Sequence, residues 1–278
     1  MGITRRRVLV GGLGLAGAAA AAGAGMITDV LPGGPPLRRA LGITGPDGTV
    51  PDVPPGPVTV ERIHSPARGR DVDLITMHPP GSTAALPVCL ALHGRGGTAR
   101  SFLDLGLPRF LAAAVRAGVP PFAITAVDCG DNYFVPRDGD DPLRMLVGEI
   151  PGPPRAAFGL SMGGYGALNL ARHRPLKAVG VASPALFRDW PEARSRNAFT
   201  DERQWRDSEP LRHVDELAGT PLGIWCGTED PFVDAARHLI ATAHPQVAAI
   251  SRGAHDNGYW LRVLPEVLHF VGTRLSPP

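Results

Sequence analysis

The feature that most constrains the fold is a series of short apolar runs without polar alternation, separated by segments of helical pattern. The runs lie at residues 87–92, 122–128, 155–158, 178–182, 222–226 and 247–250. The helical patterns lie near residues 99–117, 141–149, 161–173, 232–242 and 257–273. Strands that are apolar on both faces and alternate with helices form parallel sheets covered on both sides. The sequence therefore predicts a doubly wound α/β fold with a mostly parallel sheet.

Two segments depart from this alternation. Residues 58–63 and 72–77 are rich in β-formers and flank the turn-rich stretch 65–70, which predicts an antiparallel hairpin at the start of the fold. Residues 187–217 are polar, rich in arginine and interspersed with tryptophan and phenylalanine. We expect this stretch to be a small insertion that caps a pocket.

The first 57 residues are predicted to lie outside the folded domain. Residues 1–30 contain Arg5-Arg6-Arg7 before an uncharged run rich in alanine and glycine, and this pattern resembles a twin-arginine export signal. A helix that stays in the membrane is the alternative. Residues 31–57 are crowded with proline and glycine, which is typical of an extended linker. We therefore expect a domain at 58–278, carried out of a bacterial cell by the twin-arginine machinery and then secreted or associated with the cell envelope.

Charge and cysteine content narrow the function classes. The chain has 28 Lys and Arg against 26 Asp and Glu, and without residues 5–7 the basic count is 25. A near-neutral domain lacks the excess of positive charge that is typical of nucleic-acid-binding domains, so nucleic acid is not an expected partner. Cys89, Cys129 and Cys226 each adjoin an apolar run, which predicts buried thiols, with a Cys89–Cys129 bridge as the alternative. No clustered His/Cys spacing occurs in the sequence, so neither a metal nor a cofactor is expected.

A serine between two glycines follows the run 155–158 directly, in the pentapeptide Gly159-Leu160-Ser161-Met162-Gly163. A serine on a sharp turn between a strand and a helix has a strained backbone that projects its hydroxyl, and the tight turn requires small neighbours. The pattern therefore predicts Ser161 as a nucleophile. Because such a pentapeptide also occurs by chance, the prediction depends on finding its partners.

A serine hydroxyl needs a base to take its proton, and the base needs a third group to orient it. The loops after the runs 222–226 and 247–250 offer an acid and then a histidine, in that order. We predict Asp230 as the acid, with the adjacent Glu229 as the alternative. His255 is the predicted base, because it combines a glycine-containing loop, a preceding strand and a position after both other groups.

An oxyanion that develops during acyl transfer needs two backbone N–H donors. Met162, directly after the nucleophile, is expected to supply one. The loop His93-Gly94-Arg95-Gly96-Gly97 follows the run 87–92, and the Arg95 amide is expected to supply the other. Gly94 lets substrate approach the backbone closely, and His93 is expected to brace the loop. A plain glycine-rich turn is the alternative, whereas a phosphate loop is disfavoured because no Gly-Lys-Ser/Thr ending follows.

Five motifs in this order make the chain similar to the esterase D and antigen 85 group of α/β-hydrolases over roughly residues 58–275. They are His93-Gly-Arg-Gly-Gly, Asp128-Cys-Gly-Asp-Asn-Tyr133, Gly159-Leu-Ser-Met-Gly-Gly-Tyr-Gly, Gly227-Thr-Glu-Asp230 and Gly253-Ala-His-Asp-Asn-Gly-Tyr-Trp260. The resemblance implies an α/β-hydrolase fold and a serine esterase that acts on a small-molecule or lipid ester through an acyl-enzyme on Ser161. It also implies a triad of Ser161, Asp230 and His255.

The resemblance further implies that Asp131, Asn132 and Tyr133 line the substrate pocket, with a simple polar turn as the alternative. Two other functions are considered. A mycolyltransferase-like acyltransferase would pass the acyl group to a sugar or lipid hydroxyl, but such members of the group use glutamate where this chain offers Asp230. A hydrolase-like module that binds without turnover would lack an activated serine.

Overall fold

The structure is a computed structural model that describes residue 39, residues 41–82 and residues 85–275. The predicted signal segment 1–30 lies outside these residues. The chain divides into two compact units, Met1–Pro46 and Asp47–Pro278. In the first, residues 41–44 form a turn. The second begins within the predicted linker, and its residues 47–57 contain neither helix nor strand.

A sheet of eight strands forms the centre of the second unit as far as the structure describes it, in the order β1-β2-β4-β3-β5-β6-β7-β8. The strands are β1 Val58–Ser65, β2 Arg70–Met77, β3 Val88–Leu92, β4 Ala123–Val127, β5 Ala156–Leu160, β6 Val179–Ala182, β7 Leu222–Gly227 and β8 Val247–Ser251. The pairs β1–β2 and β2–β4 are antiparallel, and all the other pairs are parallel. The predicted hairpin and the mostly parallel sheet are therefore confirmed.

Burial explains why the central strands are apolar runs. Every residue of β4, β5, β6 and β7 is buried, whereas the edge strands β1 and β8 are mostly exposed or half-buried. Successive side chains point to opposite faces, so Leu90 belongs to one buried apolar cluster while Cys89 and Ala91 belong to the other. A strand packed in this way between two helical layers has no solvated face for polar residues.

Helices cover both faces of the sheet. They are α1 Ser101–Asp104, α2 Leu107–Arg116, α3 Pro142–Gly148, α4 Met162–His173, α5 Trp190–Arg194, α6 Glu202–Ser208, α7 Val233–Ala243 and α8 Asn257–Leu275, with 3₁₀ turns at Pro210–Arg212 and Val214–Leu217. The predicted insertion 187–217 contains α5, α6 and both 3₁₀ turns. Each of its helices is preceded by an aspartate that acts as the N-cap. The carboxylate accepts from a backbone N–H of the first turn, at 2.9 Å for Asp189 and 2.7 Å for Asp201. None of the helices described is both long enough and apolar enough to span a membrane.

The three cysteines are buried and unpaired. The prediction of buried thiols is confirmed, and the Cys89–Cys129 bridge does not form. Burial raises the pKa of the Cys129 thiol to about 12 and also raises the pKa of Cys89 and of Cys226. These thiols are therefore protonated at neutral pH.

Candidate active site

Ser161 lies at the sharp turn between β5 and α4. Its backbone angles are φ 55° and ψ −119°, a strained conformation for a residue with a Cβ. A Cβ added at Gly159 would lie 2.0 Å from the Gly163 carbonyl oxygen, and one added at Gly163 would lie 1.9 Å from the Leu92 carbonyl oxygen. The two glycines of the pentapeptide are thus required by close backbone contacts around the serine.

Three side chains from three separate loops meet at the carboxyl edge of the sheet. His255 Nε2 lies 2.8 Å from Ser161 Oγ, and His255 Nδ1 lies 2.8 Å from Asp230 Oδ2. The Asp230 side chain is fully buried, and its Oδ1 accepts from the Phe232 N–H at 2.9 Å. This chain of hydrogen bonds can carry the serine proton to an imidazole that a carboxylate holds in place.

The adjacent Glu229 does not occupy the position of the third group. Its backbone N–H donates to the Gly253 carbonyl at 2.8 Å, and the Thr228 N–H donates to the Ser251 carbonyl at the same distance. These two bonds connect the loop after β7 to the loop after β8. They therefore set the position of Asp230 relative to His255.

Two aromatic rings, neither of them among the predicted site residues, enclose the imidazole of His255. The ring centroids of Phe232 and Trp260 each lie 5.3 Å from it, and the Trp260 ring is nearly perpendicular. Phe232 stands in the loop that carries Asp230, and Trp260 stands in the first turn of α8, directly after the loop that carries His255. Their spacing in the sequence carries no signal of this contact, because it arises only when the two loops come together.

The loop at residues 93–97 runs beside Ser161. A Cβ added at Gly94 would lie 3.4 Å from the Ser161 Cβ, so the loop passes close to the serine. Met162 is the first residue of α4, and its side chain is buried in the core. Its backbone N–H is at a helix position that has no intrahelical acceptor. The loop that carries the Arg95 amide and the start of α4 are both next to the serine.

His93 braces this loop, as expected. Its Nε2 accepts from the Cys129 N–H at 3.0 Å, and its Nδ1 lies 2.8 Å from the Gly94 carbonyl oxygen. Burial lowers the pKa of His93, which favours the neutral ring that this pair of bonds requires. Asp131 also holds the loop, because its carboxylate accepts from the Gly96 N–H at 2.7 Å.

Ser161 and His255 open into a cleft of about 610 Å³, whereas Asp230 lies buried behind the imidazole. Besides the loop 93–97, Ser161 and His255, its walls contain Ser101, Phe102, Asp104, Leu105, Tyr133, Leu160, Arg196, Pro231, Phe232, Asn257 and Trp260. Of the stretch predicted to line the pocket, Tyr133 is in the wall. Asp131 is exposed and bonded to the loop, and Asn132 belongs to a turn in which its carbonyl accepts from Val135. The insertion contributes Arg196.

Tyr133 connects the cleft to the insertion. Its ring centroid lies 5.4 Å from that of Tyr165, 5.3 Å from Phe187 and 5.7 Å from Phe199. Phe187 and Phe199 belong to the insertion, so the same aromatic cluster supports both the cleft wall and the segment beside it. Within the described residues no group of three or more His, Cys, Asp or Glu side chains is arranged to hold a metal ion.

Comparisons with known proteins agree with this geometry. A family model described as "Putative esterase" matches residues 147–261, the segment that contains Ser161, Asp230 and His255. "Putative esterase NocK" of Nocardia uniformis subsp. tsuyamanensis is 32% identical over 198 residues, which make up 64% of this chain and 55% of that protein. The matched part therefore spans about half the length of this relative.

Solved structures show the same fold. A ferulic acid esterase superposes with a TM-score of 0.67 at 19% identity, over 79% of this chain and 98% of that one. An S-formylglutathione hydrolase from Agrobacterium tumefaciens superposes with a TM-score of 0.63 at 18% identity, over 82% and 99%. The α/β-hydrolase fold predicted from the sequence is confirmed. The chain has the α/β-hydrolase fold, and its sequence is similar to that of esterases.

Proposed function

We propose that the chain hydrolyses carboxylic esters through an acyl-enzyme on Ser161. The observation that carries the proposal is the pair of 2.8 Å contacts that join Ser161 to His255 and His255 to Asp230, with Ser161 and His255 in the lining of an open cleft. The matches to esterases support the same reaction class. A strained serine, a base and a buried carboxylate have no evident structural purpose in this arrangement.

In the proposed reaction, His255 Nε2 takes the proton of Ser161 as Oγ attacks the ester carbonyl carbon. The Arg95 and Met162 amides stabilise the resulting oxyanion, and donors of this kind contribute on the order of 3 kcal/mol each to the transition state. His255 then gives the proton to the departing alkoxide. Water attacks the acyl-enzyme by the same sequence and releases the acid, while Asp230 holds the imidazole throughout.

The test combines a Ser161→Ala variant with a fluorophosphonate probe and short p-nitrophenyl esters. We expect the substitution to lower kcat by about 10⁴-fold or more and to abolish labelling. The control is Ser195→Ala, which removes a hydroxyl exposed on the insertion. Equal release of free acid and alcohol distinguishes hydrolysis from acyl transfer. A Ser161→Ala protein that keeps a tenth or more of the parent activity contradicts the proposal.

We also propose that residues 1–30 direct export by the twin-arginine route, on the basis of Arg5-Arg6-Arg7 ahead of an uncharged run. Residues 1–57 fused to a reporter that is active only outside the cytoplasm provide the test. Replacement of all three arginines by lysine is expected to abolish the signal, whereas Arg38→Lys with Arg39→Lys is the matched control. Equal export of both variants contradicts the proposal.

A further inference from the structure

Arg196 is a cation in the cleft wall that has no anionic partner in the part of the chain that the structure describes. Its guanidinium carbon lies 5.0 Å from the ring centroid of Phe232 and 5.9 Å from that of Phe187. Its Nε is buried, and within the described residues the guanidinium has neither a hydrogen-bond acceptor nor an ion pair. Phe232 also packs against His255, so the guanidinium is one ring away from the reacting groups.

This environment leaves the N–H groups of the Arg196 guanidinium without an acceptor among the described residues. Aromatic rings hold a guanidinium through its charge but do not supply an oxygen acceptor for its N–H groups. Buried donors in folded proteins are nearly always paired, and leaving one without an acceptor costs free energy. Because Arg196 lines the active-site cleft, a ligand there can supply an acceptor for its terminal N–H groups.

A second guanidinium reinforces the charge of the cleft. Arg95 is exposed and lines the same space, and the lining contains two arginines against one carboxylate, Asp104. Burial raises the pKa of the Tyr133 phenol, while Arg196 and Arg95 both lower it. The two cations therefore lie near the same hydroxyl in the cleft wall.

We infer that the cleft selects esters that carry a carboxylate, and that Arg196, assisted by Arg95, binds that group. The inference rests on the proposed ester hydrolysis. A guanidinium offers two parallel N–H donors that match the two oxygens of a carboxylate, and such charge-assisted pairs are stronger than neutral hydrogen bonds. Arg196 thereby becomes a residue that determines specificity. The carboxylate can belong to the acyl group, as in a half-ester of a dicarboxylic acid, or to the alcohol.

Two pairs of substrates, one member of each with a carboxylate and one without, distinguish these cases. On the acyl side, mono-4-nitrophenyl glutarate is compared with 4-nitrophenyl valerate, and on the alcohol side 3-carboxyphenyl butyrate is compared with phenyl butyrate. The measured quantity is the ratio of kcat/KM for the charged ester to that for the neutral ester. In at least one pair we expect Arg196→Gln to lower this ratio about tenfold, mainly through KM, and Arg196→Lys to keep part of it.

The matched control is Arg194→Gln, which removes an exposed arginine of the same insertion that is not in the cleft lining and should leave the ratio unchanged. Raising the salt concentration from about 0.05 to about 0.5 M should lower the ratio of the parent enzyme, because screening weakens charge recognition. This measurement tests the inference even where a variant does not fold.

The outcomes separate the two proposals. If neutral esters are hydrolysed and the probe labels Ser161, but neither ratio changes with Arg196→Gln or with salt, the inference is wrong and the proposed function stands. If the parent hydrolyses no ester and is not labelled, the proposed function is wrong and this inference falls with it.

Discussion

Asp230 and Glu229 are neighbours in the sequence but differ in what surrounds them. The Asp230 side chain is fully buried and bonded to His255 Nδ1 and to the Phe232 N–H. Glu229 is half-buried and connects to the neighbouring loop through its backbone. A carboxylate at Nδ1 fixes the tautomer in which Nε2 can accept the serine proton, and it stabilises the imidazolium that forms.

We predict that Asp230→Asn lowers kcat by about 10⁴-fold with little change in KM, because an amide at Nδ1 permits the tautomer that places a proton on Nε2. Glu229→Gln, one residue away, is the control and should stay within about threefold of the parent. Steady-state hydrolysis of p-nitrophenyl butyrate measures both. Equal losses in the two variants contradict the role proposed for Asp230.

At the scale of elements, the backbones of β5, the start of α4 and the end of β3 pack directly against one another. The missing side chains of Gly159 and Gly163 allow the turn at Ser161 to touch the end of β3. This contact brings the loop 93–97 next to the nucleophile. The geometry proposed for the oxyanion hole thus depends on two glycines that take no part in the reaction.

We predict that Gly163→Ala destabilises the protein by about 3 kcal/mol or more, since the added methyl would meet the Leu92 carbonyl at 1.9 Å and backbone cannot give way cheaply. The matched control is Gly148→Ala in α3, where an added Cβ has nothing within 4 Å. It should change stability by less than about 1 kcal/mol. Urea denaturation measures both, and similar midpoints for the two variants would contradict the argument.

Glu209 is a fully buried acid whose hydrogen bonds connect separate parts of the insertion. Its carboxyl oxygens accept from the Phe187 N–H at 3.2 Å, the Trp205 Nε1–H at 3.1 Å and the Leu211 N–H at 3.3 Å. Burial raises the pKa of Glu209 from its ordinary value of 4.5 to about 8, although these three donors lower it in part. The folded protein therefore holds this proton more tightly than the unfolded chain does.

Because the pKa of Glu209 is higher in the folded state, its contribution to stability is complete below pH 4.5 and is lost as the pH rises to about 8. We predict that the free energy of unfolding falls across this window by on the order of 1 kcal/mol per pH unit from this group. Urea denaturation at several pH values compares the parent with Glu209→Gln, which cannot titrate. An identical pH dependence in the two proteins contradicts the prediction.

At the scale of the whole molecule, the parallel sheet assembles the site from distant parts of the chain. The loop 93–97 follows β3, Ser161 follows β5, Asp230 follows β7 and His255 follows β8. Parallel strands end at the same edge, so their carboxyl ends place these loops together. Helices cover both faces of this sheet, and the three cysteines are buried beneath them.

We predict that a thiol reagent finds no reactive cysteine in the native protein and three in the denatured chain, because Cys89, Cys129 and Cys226 are buried and unpaired. The raised pKa of each thiol further reduces its reactivity in the folded state. Titration with and without denaturant, in the absence of reductant, measures both numbers. A denatured count of one would indicate a disulfide and contradict the structure.

The sequence alone determined the class of fold and the identity of the candidate nucleophile and base. Apolar runs, helical periodicity and the turn around Ser161 are local patterns, because each reflects the burial or backbone geometry of neighbouring residues. The chain order of serine, acid and histidine is also visible without a structure. These features sufficed to predict the strands and the serine turn.

Only the tertiary structure decided what meets across long separations. His255 contacts Asp230 from 25 residues away and Ser161 from 94 residues away, and it is the packing of β7 against β8 that turns Asp230 rather than Glu229 toward the imidazole. The same holds for Tyr133 in the cleft wall, for Asp131 on the loop 93–97 and for Arg196 over Phe232. Such contacts depend on how loops from different strands pack together, and no local pattern encodes that packing.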